Sequence, residues 1–428
     1  MRQTGRGRDF CNLSQNVSEM NLYIFNETRR GAVYGVGTYI RELTAALNKS
    51  DISICVINLF SEKRQMQTEE TDGIRHWYFP APVLEQQAAD FQKQRELYFR
   101  NVTYLLQLHI LDKKELIFHL NYHQNKSLSE ELKKAFDCRI VSVVHFADWG
   151  FTVFDNLPRL RRILKEGQLD SFGERVKKSF EEERSYYESV DHVISLSNYM
   201  QEILCLDYGL EVTKIAVIPN GLSDMAIETA DLKFLRKKWN LSLREKILLF
   251  VGRVDEVKGI NYLIRAFREV LKAKPYCRLM IVGSGNYDLF FQEAKDICTK
   301  ITFTGLLEKK ELYEIYQIAD VGVVPSLFEP FGYVSVEMMM HRLPLVVTAT
   351  SGMNEIVDES CGLKVPILKS PDNLEVNVCV LAQKIRFLLQ NPVEAKQLGE
   401  NGRKRYLEKY SLHIFRESMK MFYKSLFQ

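Results

Sequence analysis

Lys246-Ile-Leu-Leu-Phe-Val-Gly252 decides how this chain folds. An apolar run this short, closed by glycine, reads as a strand buried on both faces, the kind a parallel sheet requires. The same form returns at 277–283 (CRLMIVG), and further apolar runs stand at 300–304, 320–324 and 344–348. Upstream, strands are predicted at 21–26, 52–58, 74–79, 116–120, 139–145, 191–196 and 214–218. Helical patterns lie between them, for example at 36–48 and 90–110. Strands alternating with helices predict parallel sheets joined by crossover helices. Pro219-Asn220-Gly221 breaks the series, and the composition shifts after it. The expected division is a loose tail over 1–19, a doubly wound α/β domain over 20–220, a second over 221–405, and an amphipathic, aromatic-rich helix over 406–428. Two such domains place their strand C-termini, where α/β sheets bind ligands, along facing edges of a cleft.

At 428 residues the chain exceeds one ordinary core, and two domains of roughly 200 residues are expected. A content of 46% hydrophobic and 26% charged residues is that of a soluble globular protein. The net charge of +3 offers no global field to nucleic acid, so anions must be held by local placement. The eight cysteines are scattered, without a C-x-x-C pair. They read as reduced thiols of a cytoplasmic protein rather than a disulfide framework. No apolar run approaches the ~18 residues of a membrane span. Residues 1–19, with Arg2, Arg6 and Arg8, lack the apolar centre of a secretory signal.

The chemistry gathers after the strands. Arg253 and Lys258 follow Gly252, a planar fork of donors and a compact charge at a strand's C-terminal edge. Together they suit a diphosphate leaving group, as preorganised charge where charge develops. Downstream stands Glu329-Pro-Phe-Gly-Tyr-Val-Ser-Val-Glu337, two carboxylates around a helix start near Gly332, with Glu337 about two turns in. A helix N-terminus favours an anion, whereas carboxylates repel phosphate and favour hydroxyls. An anionic middle with hydroxyl-bearing ends describes a nucleotide sugar. Glu337 lies in an apolar run of Val334, Val336 and Met338–Met340, where a charge needs a partner.

In the first half, His145 ends a predicted strand in Val-Val-His-Phe-Ala-Asp148. A histidine there can meet a sugar hydroxyl or a phosphate, and Asp148 is placed nearby. His119 and His123 are weaker candidates, and their spacing does not suggest metal ligation. Gly31-Ala-Val-Tyr-Gly35-Val-Gly37, preceded by Arg29 and Arg30, forms a glycine-rich entry to the first helix. Its spacing is not that of a nicotinamide fingerprint. Asp-x-Asp is absent, so the usual carboxylate pair for a metal-bridged diphosphate is missing, and no metal is expected.

These motifs resemble the retaining glycosyltransferases of family 4, which have the two-domain GT-B fold. The resemblance runs through most of the chain from Met20. It is densest at Ile218-Pro-Asn-Gly221, Val251-Gly-Arg-Val254 with Lys258-Gly259, Gly283-Ser-Gly285, Thr304-Gly305 and Glu329 to Glu337, and continues through Pro344-Leu-Val-Val and Ser351-Gly-Met-Asn-Glu355. It implies that Arg253 and Lys258 hold the donor diphosphate beside Gly252 and Gly283. Glu329 is implied to contact the transferred sugar and Glu337 the ribose hydroxyls. Backbone around Phe331, Gly332 and Tyr333 would meet sugar or phosphate, and Leu306 and Leu307 would border the base. His145 matches the family's cleft histidine, Gly35 and Gly37 its loop toward donor and acceptor, and the last helix is implied to cross back onto the first domain. Two departures stand out. Ser351-Gly352 replaces a common Gly-Gly, and the first loop lacks a plain Gly-Gly pair.

The implied activity is transfer of a hexose-type sugar from a nucleoside-diphosphate sugar to a saccharide, lipid or peptide-linked glycan, with retention and without a cofactor. An epimerase or hydrolase of the same fold, releasing nucleotide without an acceptor, and a non-catalytic sugar-nucleotide binder are the alternatives. The basic stretch 159–178, with Arg159, Arg161, Arg162, Lys165, Arg175, Lys177 and Lys178, reads as a solvated helix or as peripheral contact with the inner membrane face. With Phe146, Trp149 and Phe151, the same region could instead shape an acceptor pocket.

Overall fold

A computed structural model describes residues 20–28, 35–48, 50–82, 88–226 and 231–428, with the side chains of 88–91 left aside. The tail 1–19 and the residues Arg29, Arg30 and Gly31 of the first loop lie outside the described residues.

The first sheet comprises β1 (Met20–Glu27), β2 (Ile52–Ser61), β3 (Gln67–Thr71), β4 (Ile74–Pro80), β5 (Leu116–Leu120), β6 (Cys138–Val144), β7 (His192–Ser195) and β8 (Ile215–Val217). Its order is β3-β4-β2-β1-β5-β6-β7-β8, parallel except where β3 pairs with β4. The second comprises β9 (Lys246–Val251), β10 (Cys277–Val282), β11 (Ile301–Gly305), β12 (Val321–Val324), β13 (Leu345–Thr348) and β14 (Gly362–Val365), in the order β11-β10-β9-β12-β13-β14. A hairpin, β15 (Ile367–Ser370) and β16 (Asn373–Val376), stands apart.

Strand β9 shows why both sheets are buried. Ile247 and Leu249 enter one apolar cluster, whereas Leu248 and Phe250 enter another on the opposite face. The alternation of side chains along a strand splits one continuous apolar run between two cores. Every predicted strand is present. Strands β3, β14, β15 and β16 were not predicted, because QTEET, GLKV, ILKS and NLEV are short and lie at edges or in a hairpin, with little apolar signal.

The connectivity reverses between β9 and β12 in the second sheet and between β1 and β5 in the first. A doubly wound sheet opens a ligand crevice at such a reversal. The loops leaving β9 and β12 carry Arg253 and Glu329, and they run close together. A Cβ on Gly259, which has φ +67°, would lie 2.0 Å from the Pro325 carbonyl oxygen.

The last helix, Leu412–Ser425, returns to the first domain. It packs on the helix Val36–Leu47. Lys424 and Lys420 pair with Asp51 at 2.7 and 3.2 Å, and Tyr423 OH reaches His119 Nδ1 at 2.9 Å. His119 is fully buried, with Tyr39 OH at 3.2 Å from its other nitrogen, so it is a structural joint rather than a ligand-facing group.

In the basic region it is the apolar side chains that fold inward. In the helix Leu157–Lys165, Leu160 and Ile163 are buried in the core. Arg161 makes a bidentate pair with Asp207 at 2.8 and 2.9 Å, and Arg162 binds Asp372 at 2.6 Å. The apolar face that an interfacial helix would insert into lipid is therefore committed to the protein core. Among the described residues no helix is long and apolar enough to cross a membrane.

Candidate active site

A cleft of about 180 Å³ lies where the two reversals meet. Gly35, His145 and Asn220 line it from the first half, and Gly252, Arg253, Lys258, Glu329, Phe331, Gly332 and Tyr333 from the second. A cavity of about 920 Å³ opens beside it and shares Phe151 and Arg253, but it holds neither Glu329 nor His145. The smaller space is where the charged groups converge.

Lys258 and Glu329 meet there, Nζ to Oε2 at 2.6 Å. Lys258 ends a short turn capped by Asp255, and Glu329 precedes Pro330 on the loop after β12. Ser326 Oγ donates to the same Glu329 oxygen at 3.2 Å. Arg253 binds Asp255 at 3.0 Å, and its guanidinium lies 5.5 Å from the Phe151 ring centre. Phe151 belongs to the first domain, so this contact bridges the two halves.

The helix Tyr333–Met340 begins at Gly332, whose φ of +98° favours glycine. Its first turn lines the cleft, and first-turn N–H groups have no partner within their own helix. Across the cleft, a Cβ on Gly35 would lie 3.3 Å from the Tyr333 ring, so the two loops touch. Gly37 lies inside the first helix and does not line the cleft.

Glu337 is the fifth residue of its helix, just past one turn and not two as the spacing suggested. It is buried, and its partners come from the segment after β11: the Lys309 ammonium donates to Oε1, and Tyr316 OH donates to Oε2 at 2.9 Å. Lys309 closely follows Leu306 and Leu307. Leu306 is 79% exposed at the mouth of that loop, whereas Leu307 packs on the core. Gly283 sits at the end of β10, where a Cβ would collide with the Gly252 carbonyl oxygen at 1.8 Å. Gly283 thus lets the adjacent strand ends approach, whereas Gly252 is favoured as glycine by its φ of +153°.

His145 immediately follows β6 and is buried. Burial pulls its pKa down to about 3, so the ring is neutral at ordinary pH. Its tautomer follows from its neighbours. Asn121 Nδ2 donates to the Phe25 carbonyl at 2.9 Å, which turns Asn121 Oδ1 toward His145 Nε2 at 2.8 Å. Nε2 must carry the proton, leaving Nδ1 as an acceptor. The Tyr39 ring meets the imidazole edge-on at 4.7 Å.

Asp148 lies away from this centre. Its Oδ2 is 3.1 Å from His123 Nε2 and accepts from Ser179 Oγ at 3.3 Å. The buried Glu183 completes that group, with burial raising its pKa to about 7. Asp148 faces the larger cavity rather than His145.

Sequence reasoning missed several members of the site. Asn220 was noted in a chain breaker and in the motif Ile218-Pro-Asn-Gly221 but given no role, yet it is buried against the cleft, and its Oδ1 has no partner among the described residues. Tyr333 was named for its backbone, and its OH is also buried without a partner among the described residues. An acceptor and a donor left unsatisfied beside one cleft are what a bound, hydroxyl-bearing molecule would satisfy. Lys309 and Tyr316 were missed because they come from a helix far from Glu337 in sequence. The need of a buried carboxylate for partners was the available signal.

The comparisons with known proteins agree with this geometry. Residues 33–224 match the Glycosyltransferase Family 4 model, and residues 231–405 match the model of Glycosyl transferases group 1. An uncharacterized glycosyltransferase of Methanocaldococcus jannaschii is 31% identical over 237 residues, covering 53% of this chain and 58% of that protein. The chain spans about half the length of the curated relatives it matches. Among solved structures, sucrose-phosphate synthase of Thermosynechococcus elongatus superposes with a TM-score of 0.74 over 95% of this chain and 99% of that one, at 22% identity. Anabaena HepE, in complex with UDP and glucose, gives 0.70 over 95% and 100%, at 14% identity. With two doubly wound domains, a closing last helix and both family models matched in order, this chain belongs to the family 4 type of GT-B glycosyltransferases.

Proposed function

We propose that this protein transfers a hexose-type sugar from a nucleoside-diphosphate sugar to an acceptor hydroxyl, with retention of anomeric configuration. The observation that carries this function is the convergence of Lys258–Glu329, Arg253, the Gly332 helix start and neutral His145 on one cleft. Arg253, Lys258 and the helix N-terminus form a cationic and N–H-rich wall for the diphosphate, and they strengthen as charge develops on the leaving oxygen. Glu329, neutralised by Lys258, is free to accept from sugar hydroxyls rather than repel the phosphate. Glu337, on the side of the 306–309 loop, takes the ribose hydroxyls, with the base at Leu306 and Leu307. His145 Nδ1 accepts from a hydroxyl of the transferred sugar.

In the reaction the anomeric carbon–phosphate oxygen bond breaks, and the acceptor oxygen bonds to the same face of that carbon. The acceptor proton passes to the departing phosphate. No metal is required, because the protein's own cations meet the diphosphate. The larger cavity, walled by Phe151, Phe154 and Arg175, receives the acceptor. A thermal-stabilisation screen of nucleotide sugars tests the donor site. A bound donor at a hundredfold excess over its Kd stabilises by about 2.7 kcal/mol. The matching donor should raise the Tm of the wild type and not that of Arg253→Ala. No shift with any nucleotide sugar would refute the assignment.

A further inference from the structure

Ser351 stands where the family commonly has glycine, and it adopts φ +41°, a backbone conformation that costs a side-chain-bearing residue about 1 kcal/mol or more. The side chain retained there lies between the two domains. Its Oγ is 3.0 Å from Asp155 Oδ2 and 3.3 Å from the Glu329 backbone nitrogen. A carboxylate oxygen can only accept, so the Ser351 hydroxyl donates to Asp155, and its lone pair receives the Glu329 N–H.

Asp155 belongs to the first domain, is fully buried and has φ +57°. Its other partners come from both halves. Tyr199 OH donates to Oδ1 at 2.5 Å, Lys369 Nζ to Oδ2 at 2.7 Å, and Thr350 Oγ1 lies 3.0 Å from Oδ2. The same second-domain segment reaches back. Glu355 accepts from the backbone N–H groups of Asn198 and Tyr199, at 3.0 and 2.6 Å, capping the helix Asn198–Leu206 of the first domain. Two carboxylates thus cross the domain boundary in opposite directions, on either side of Ser351-Gly352.

We propose that Asp155 and Ser351 form an interdomain latch that positions Glu329, so that engagement of the two domains and placement of the sugar-contacting carboxylate are one event. This rests on the donor-site assignment for Glu329. Asp155 and Ser351 are positioning residues, touching no substrate themselves. The latch uses the serine in place of glycine: its hydroxyl bonds both Asp155 of the first domain and the Glu329 backbone, and the strained φ is retained with it. A 1 Å displacement of a reacting group costs up to about a hundredfold in rate.

The test uses the full-length protein and two variants, Ser351→Gly and Asp155→Asn. Ser351→Gly removes the hydroxyl and relieves the backbone strain, so it should fold at least as stably as the wild type. It should lower kcat about tenfold to a hundredfold while donor Kd changes little. Hydrogen exchange supplies a readout independent of turnover: the Asn198 and Tyr199 amides should be protected in the wild type and exchange faster in Asp155→Asn. Unchanged kcat in Ser351→Gly, or unchanged exchange at those amides in Asp155→Asn, would overturn the latch. A wild type that turns over no nucleotide sugar, yet shows the exchange difference, would refute the donor assignment and leave the interdomain latch standing without its catalytic role.

Discussion

Lys258 Nζ and Glu329 Oε2 lie 2.6 Å apart across 71 residues of sequence, joining the loops that leave β9 and β12 at the reversal of the second sheet. The pair is partly open to solvent, at 17% and 16% side-chain exposure, so its worth to folding is modest. In the proposed reaction its arrangement matters more, because it sets a cation and a carboxylate side by side where phosphate and sugar would adjoin.

Removing the cations should therefore cost rate before stability. Lys258→Ala and Arg253→Ala are each expected to lower turnover by on the order of a hundredfold or more, with melting temperatures within a few degrees of wild type. Turnover of the wild type should persist in excess chelator, since the proposed diphosphate site relies on these side chains in place of a bridging metal. Steady-state kinetics with and without chelator check both statements.

Glu337→Gln should weaken donor binding by about ten- to a hundredfold, the worth of one hydrogen bond to a charged group at 1.5–3 kcal/mol. The specific check is a donor lacking a ribose hydroxyl. It should bind the wild type and Glu337→Gln nearly alike, whereas the intact donor separates them. Equal losses for both donors would mean that the Lys309–Glu337–Tyr316 group is purely structural.

Tyr333→Phe separates function from folding at a single atom. The Tyr333 hydroxyl is buried without a protein partner among the described residues, and an unsatisfied buried hydroxyl costs roughly 1–3 kcal/mol. Phenylalanine should leave the Tm unchanged or raised, while kcat/KM falls about tenfold if substrate supplies the missing partner. Calorimetry and kinetics on the same preparation decide it.

Acid should destabilise the protein through its buried histidines. Burial lowers both His119 and His145 to about 3. The unfolded chain takes up these protons below about 6.5. Stability from this pair is thus fully present above about pH 6.5 and is lost as pH falls toward 3. Glu183 acts in the opposite sense: burial raises it to about 7, so its contribution is present below about 4.5 and lost as pH rises toward 7. Between pH 4.5 and 6.5 the two histidines outweigh the one carboxyl, and Tm should rise with pH. Glu183→Gln should steepen that rise. His145, neutral throughout, should place no step in the pH–rate profile above pH 5.

Much of this was legible in the sequence, because parallel strands buried on both faces announce themselves as apolar runs. The 246–252 run became β9, and Gly252 and Arg253, which follow the strand, line the cleft. Glu329 and Lys258 were each named as candidates, but not as a pair, since nothing local links positions so distant. Glu337 was expected to have a partner; Lys309 and Tyr316 could not be named without the packing of a separate helix. Asp148 was expected beside His145 on proximity in sequence alone, but the turn into the helix Asp148–Thr152 directs it to His123. Ser351 registered only as a departure from glycine, and its partner Asp155 lies in the other domain.

The most direct measurement is the acceptor-dependent release of nucleoside diphosphate from the donor found in the stabilisation screen, with the anomeric configuration of the product read by proton NMR. Transfer to an acceptor with the configuration of the donor retained is the expected result. Release of nucleotide without any acceptor, or a product of inverted configuration, would contradict the assignment.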